Sequence, residues 1–96
     1  MMTANGLAKL MEECGELTQV CAKKLACMDS DQHWDGAGSL KTRMEDEIAD
    51  MAAASMFVVG TFDLDTARIG ERTNRKLAQF LAWHEQQNDA PKESKT

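Results

Sequence analysis

The chain has 96 residues, 16 Asp and Glu against 11 Lys and Arg, a net charge of −5 and no run of Lys or Arg longer than a pair. This balance argues against nucleic-acid or membrane-surface binding. Three cysteines, Cys14, Cys21 and Cys27, show neither C-x-x-C nor a zinc-type Cys/His spacing, and read as reduced thiols serving as small apolar helix residues in a cytoplasmic protein. The N-terminus has no signal-peptide core, and the longest uncharged run, Met51 to Phe62, is too short to span a bilayer. The expectation is one all-α domain over residues 1–87 and a polar tail over 88–96 that contains the sole proline, Pro91.

Leu7, Leu10, Met11, Cys14, Leu17, Cys21, Leu25 and Met28 recur at three- and four-residue steps, predicting a first helix over about residues 5–27, with Thr3 or Asn5 as its N-cap. On the helical wheel Glu13 falls at the edge of the apolar arc, Glu16 just beyond it and Glu12 farther onto the polar side. An i, i+3 pair lies about 60° apart on one face, so Glu13 and Glu16 can aim in one direction. Gly15, among these acids, either gives room to a ligand or neighbouring helix or is simply tolerated.

The segment MDSDQHWDGAGS, residues 28–39, reads as a long loop. Trp34 either stacks on a flat ligand such as a base or covers the end of a core, and His33 is expected to be solvated. Ser39 is the predicted cap of a second helix over about 40–59, closed by Gly60. Its C-terminal half is apolar all round and must be covered on every side, which predicts a homo-oligomer built around this helix. Glu47 and Asp50, again three apart, point toward its apolar side. Their ordinary partner is Arg43, which lies between them on the wheel and is i, i+4 to Glu47.

Asp63 or Asp65 is the predicted cap of a third helix over about 65–87, with Ile69, Thr73, Leu77, Phe80, Leu81 and His84 on its buried face. Arg72 and Lys76 border that face as candidate phosphate-binding cations. Four carboxylates, Glu13, Glu16, Glu47 and Asp50, converging where two helices pack would repel unless a cation joined them, and hard divalent ions such as magnesium take oxygen ligands.

Glu12-Glu13-Cys14-Gly15-Glu16 followed by Glu47-Ile48-Ala49-Asp50 resembles the EExxE…ExxD signature of the MazG-like nucleoside triphosphate pyrophosphohydrolases. These belong to the all-α NTP pyrophosphatase superfamily, and the resemblance extends from about Leu7 to His84. It implies a three-helix protomer that completes a four-helix-type bundle as a dimer or a tetramer of two dimers. It also implies magnesium-dependent hydrolysis of nucleoside triphosphates, with manganese as a substitute, to monophosphate and pyrophosphate, in the service of nucleotide-pool cleansing. The metal ligands carry over onto Glu13, Glu16, Glu47 and Asp50. Glu13 or Glu16 is then expected to activate the water, with Glu12 less well aimed, while Lys76, Arg72 and Trp34 meet the substrate. The competing expectation is a non-catalytic helical interaction or nucleotide-binding protein on the same fold.

Overall fold

The structure, a computed structural model, describes residues 4–88. The cap position at Thr3 and the tail beyond Asn88 lie outside the described residues. Three helices form, α1 (Ala4–Ala26), α2 (Leu40–Thr61) and α3 (Thr66–Asn88), each within a turn of the expected bounds. Asn5 lies inside α1 rather than capping it. Among the described residues there is no strand, only an isolated bridge between Gln32 and Ser39, and no helix long and apolar enough to cross a membrane. The chain divides into two units, one ending at Leu64 and the other starting at Asp65.

The first unit is a helical hairpin whose connection is held by polar groups. At the end of α1, Lys24 Nζ donates to the carbonyls of Met28 (3.3 Å) and Ser30 (2.9 Å), a cation at the terminus where carbonyls lack partners. At the start of α2 the unpaired N–H groups are met one after another. Leu40 N–H donates to the Asp31 carbonyl (2.7 Å), Lys41 N–H to Asp31 Oδ1 (2.8 Å) and Thr42 N–H to Ser39 Oγ (3.2 Å). Ser39 therefore caps α2 as expected, and Asp31 is a second cap supplied by the loop. Bonds from Ser39 and the Lys41 N–H hold the Asp31 carboxyl below the usual range. The chain reverses through Gly36 (φ 69°) and Gly38 (φ 102°), backbone angles that L side chains rarely adopt.

Val20 of α1 and Leu40, Ala54 and Val58 of α2 form the buried core. At the open end the helices approach closely, and a Cβ at Gly6 would stand 3.0 Å from Phe57 Cε2. Gly60 does not end α2. The helix runs through it, Asp63 takes the left-handed conformation (φ 51°), and Leu64 N–H donates to the Val59 carbonyl (3.0 Å) while Asp63 N–H donates to Gly60 (3.4 Å). This is the Schellman arrangement with aspartate where glycine is usual, and the short polar Asp side chain tolerates it. Asp65 is the cap of α3, accepting from Arg68 N–H at 3.0 Å.

The second unit is α3. Its apolar stripe exists, but the expected buried face is exposed, with Ile69, Leu77, Phe80 and Leu81 all open to solvent, because among the described residues this unit is a single helix with nothing to bury the stripe against. In α2, Ala54 and Val58 are covered whereas Met56 (74 %) and Phe57 (58 %) remain exposed, so one hairpin covers one side of this helix.

A Cβ at Gly15 would meet nothing within 4 Å, so no neighbouring helix requires the glycine. Gly15→Ala is expected to raise stability by about 1 kcal/mol, read as a higher urea midpoint at unchanged m-value. A destabilised variant would show that the open space is used.

Candidate metal centre

The carboxylates meet because α1 and α2 pack antiparallel, with the acids of each helix turned toward the other. One oxygen each of Glu12, Glu13 and Glu16 lie within 4.8 Å of one another, and so do those of Glu13, Glu47 and Asp50. Glu13 belongs to both groups. Glu13, Glu16 and Glu47 are half-buried, while Glu12 and Asp50 are exposed, so the expected low-dielectric surroundings hold for Glu47 and not for Asp50. Asp50 stands on the wall of an open hollow.

Two oxygens, Glu13 Oε2 and Glu47 Oε2, are shut off from solvent without a hydrogen-bond partner. A buried carboxylate oxygen left in this way carries its full desolvation cost. Burial first, then repulsion from Glu16 and Asp50, pushes the Glu13 carboxyl above its ordinary value. Glu47 is likewise raised, by burial first and then by Glu16, which lies within hydrogen-bonding reach, and by Asp50 and Glu13. All the donor atoms are oxygens of acids, an acceptor-only set suited to a hard divalent cation. Opposite ligands of a magnesium-sized ion stand about 4.2 Å apart, a spacing that these clusters can supply. The residues present fit the ion.

The expected ordinary partner is engaged elsewhere. Arg43 forks onto Asp35 of the loop, with Nη1 to Oδ1 and Nη2 to Oδ2 both at 3.2 Å. Lys23 of α1 joins the same carboxylate at 2.9 Å. Asp35 Oδ1 also accepts the Ala37 N–H (3.1 Å), and the two cations hold its carboxyl far below the usual carboxylate range. Lys9 brings positive charge to the acid cleft. It pairs with Glu12 at 3.2 Å and lines an open hollow of about 480 Å³ together with Glu13, Asp50, Ala53, Ala54 and Phe57. Lys9 was not singled out from the sequence, although its i, i+3 and i, i+4 spacing to Glu12 and Glu13 is a readable signal.

Trp34 is 79 % exposed and therefore covers no core. Its ring stacks on His33 at 3.9 Å between centroids. His33 is not solvated as expected, since its side chain is 8 % exposed. Its Nδ1 accepts the Asp35 N–H at 3.0 Å, so the approach of that nitrogen to Asp35 Oδ2 (3.3 Å) is not an ion pair. Arg72 and Lys76 lie on α3, in the second unit. They line a shallow apolar hollow with Arg68, Ile69, Thr73, Leu77 and Phe80, and a small polar one with Arg75 and Gln79. Their position on the border of the apolar stripe is as expected.

A carboxyl whose folded value exceeds its unfolded one stabilises the fold fully below the unfolded value, and this is lost as pH rises through the folded value. Glu13 and Glu47 therefore weaken the metal-free fold as pH climbs above about 4. Asp35, held low, contributes fully above that pH and loses its part only in stronger acid. The melting temperature of metal-free protein is expected to fall as pH rises above the ordinary carboxyl value of about 4. Glu47→Gln should flatten the fall, and magnesium at pH 7 should reverse it. A melting temperature that rises across this window would contradict the assignment of charge.

The chain matches no protein-family model, no curated protein and no solved structure.

Proposed function

We propose that this chain hydrolyses nucleoside triphosphates to nucleoside monophosphate and pyrophosphate with a divalent cation, in the manner of the MazG-like enzymes whose acidic signature it resembles. The observation that carries the reading is the pair of sealed, unpartnered oxygens on Glu13 and Glu47, at the meeting point of two acid clusters. A structural acid in such a place would have found a hydrogen bond or an arginine.

Glu13, Glu16, Glu47 and Asp50 would hold magnesium or manganese. When bound, the cation polarises phosphate oxygens and offsets their charge. Glu13 or Glu16 would orient the attacking water and take its proton. Glu12, exposed and paired with Lys9, is less suited. Lys9 adds positive charge at the mouth of the hollow, and Ala53, Ala54 and Phe57 give it an apolar wall suited to a nucleoside. Arg72 and Lys76 on α3 are the proposed cations for the departing pyrophosphate, and exposed Trp34 is a stacking surface for a base.

We also propose that the chain works as a homo-oligomer, a dimer or a dimer of dimers completing a four-helix-type bundle. Support comes from the exposed apolar side chains of α2 and the stripe of α3, since contiguous exposed apolar surface marks association sites. The same surface favours the second reading, a non-catalytic helical interaction protein, and turnover separates the two.

Glu47→Gln and Asp50→Asn are each expected to lower pyrophosphate release by about 100-fold or more with helicity unchanged. Hydrolysis in oxygen-18 water should place the label in the monophosphate. Orthophosphate and a nucleoside diphosphate as first products would refute the assignment of the bond. Light scattering at micromolar concentration should report a dimer or larger, and a stable monomer would refute the assembly.

A further inference from the structure

Arg43 lies one helical turn before Glu47, at the i, i+4 spacing from which a guanidinium reaches a carboxylate on the same face. Turned that way it would offset the half-buried acid, one of whose oxygens is sealed from water without a hydrogen-bond partner. It does not do so. Both of its terminal nitrogens are taken by Asp35, each at 3.2 Å, and its side chain is only 18 % exposed, so the guanidinium is packed into this position rather than waving in solvent. Planar bidentate pairing is the geometry in which an arginine is held most firmly. Asp35 is itself locked in place by Lys23 of α1 (2.9 Å) and by the Ala37 N–H (3.1 Å), and its own N–H is bound to His33 Nδ1 (3.0 Å).

We propose that Asp35 is a positioning residue for the acid cleft. By holding the Arg43 guanidinium off Glu47, it keeps the Glu13–Glu47–Asp50 cluster negative enough to take a divalent cation. The inference rests on the metal-site reading above and adds a second role for the loop, which both joins the helices and withdraws a competing cation from the site. Loss of the Asp35 charge frees Arg43 to swing onto Glu47. The guanidinium then occupies a ligand oxygen and offsets its charge, and the metal has to displace it.

The test is titration of Mn²⁺ into metal-free protein, with free ion read by electron paramagnetic resonance and folding checked by circular dichroism. Asp35→Asn keeps an acceptor for the Ala37 N–H and removes the charge together with the second acceptor oxygen that Arg43 and Lys23 use. It is expected to weaken Mn²⁺ binding about 10- to 100-fold, the range found when partners of ligand residues are lost. Adding Arg43→Met in the same chain should restore binding to the wild-type value, because the competing cation is then gone. A structural role for Asp35 predicts no such rescue, so a double variant as weak as Asp35→Asn overturns the proposal. So does an Asp35→Asn chain that binds like wild type. Arg43→Met alone supplies an arm that does not depend on how Asp35→Asn folds. With the arginine already held off, its removal should leave affinity within about twofold of wild type, and a rise well beyond that would show that Arg43 already competes at Glu47. Failure of the wild-type chain to bind Mn²⁺ at all would sink the metal site itself, an outcome distinct from equal binding by wild type and variants.

Discussion

Like charges held in one cleft by two packed helices are the constraint around which this hairpin is built. Glu13 and Glu47 cannot relax by turning to water, because each has an oxygen sealed from it. Glu12 and Asp50 have solvent available, and Glu12 has Lys9. The cleft can lower its energy in two ways, by taking protons or by taking a cation, and the raised carboxyls of Glu13 and Glu47 express the first.

The connection that brings these helices together is polar throughout. Lys24 closes the end of α1, Asp31 and Ser39 meet the first N–H groups of α2, and Asp35 ties Lys23 to Arg43. Isolated surface ion pairs contribute little, but this one is a three-membered, half-buried network with bidentate geometry, and it fixes one residue of the loop to both helices. The apolar contribution is modest by comparison, with four core side chains among the described residues and long stretches of α2 and α3 uncovered. Register in the hairpin therefore depends on caps and charges to an unusual degree for a helical pair.

Much of this was legible in the sequence because helical periodicity is a strong signal over long segments. The three helices, the Ser39 cap and the i, i+3 acid pairs follow from spacing alone. The burial ranking of Glu13 and Glu16 over Glu12 also follows, since the wheel angle relative to Leu17 and Val20 decides it. Loop chemistry was not legible. Nothing in the spacing of Asp35 says that it meets Lys23 and Arg43, because those partners are brought together by the left-handed turns at Gly36 and Gly38. Consequently spacing offers Arg43, the neighbour of Glu47 in sequence, as the alternative partner to a metal, and leaves His33 in solvent. Gly60 looked like a helix stop because glycine is the usual left-handed residue, yet Asp63 takes that conformation and Gly60 stays helical. The burial of the α3 stripe was expected from amphipathicity, which reports that a face is apolar but not what covers it.

Position on the helices separates a functional acid from a tolerated one. Glu47 lies seven residues beyond Leu40 and seven before Ala54, and Glu13 lies seven before Val20. Two helical turns apart on one face, these are positions of the same stripe that forms the core. An apolar side chain at either would lengthen the buried seam and relieve an unpartnered oxygen at once. A chain shaped by stability alone would place one there, since a large core side chain contributes about 1.5–3 kcal/mol when fully buried. Charged groups at core positions that lack compensation are the departures from local consistency expected at functional sites. The two helices thus give up part of their packing seam to carboxylates, while Asp35 of the loop engages Arg43, the arginine one turn before Glu47.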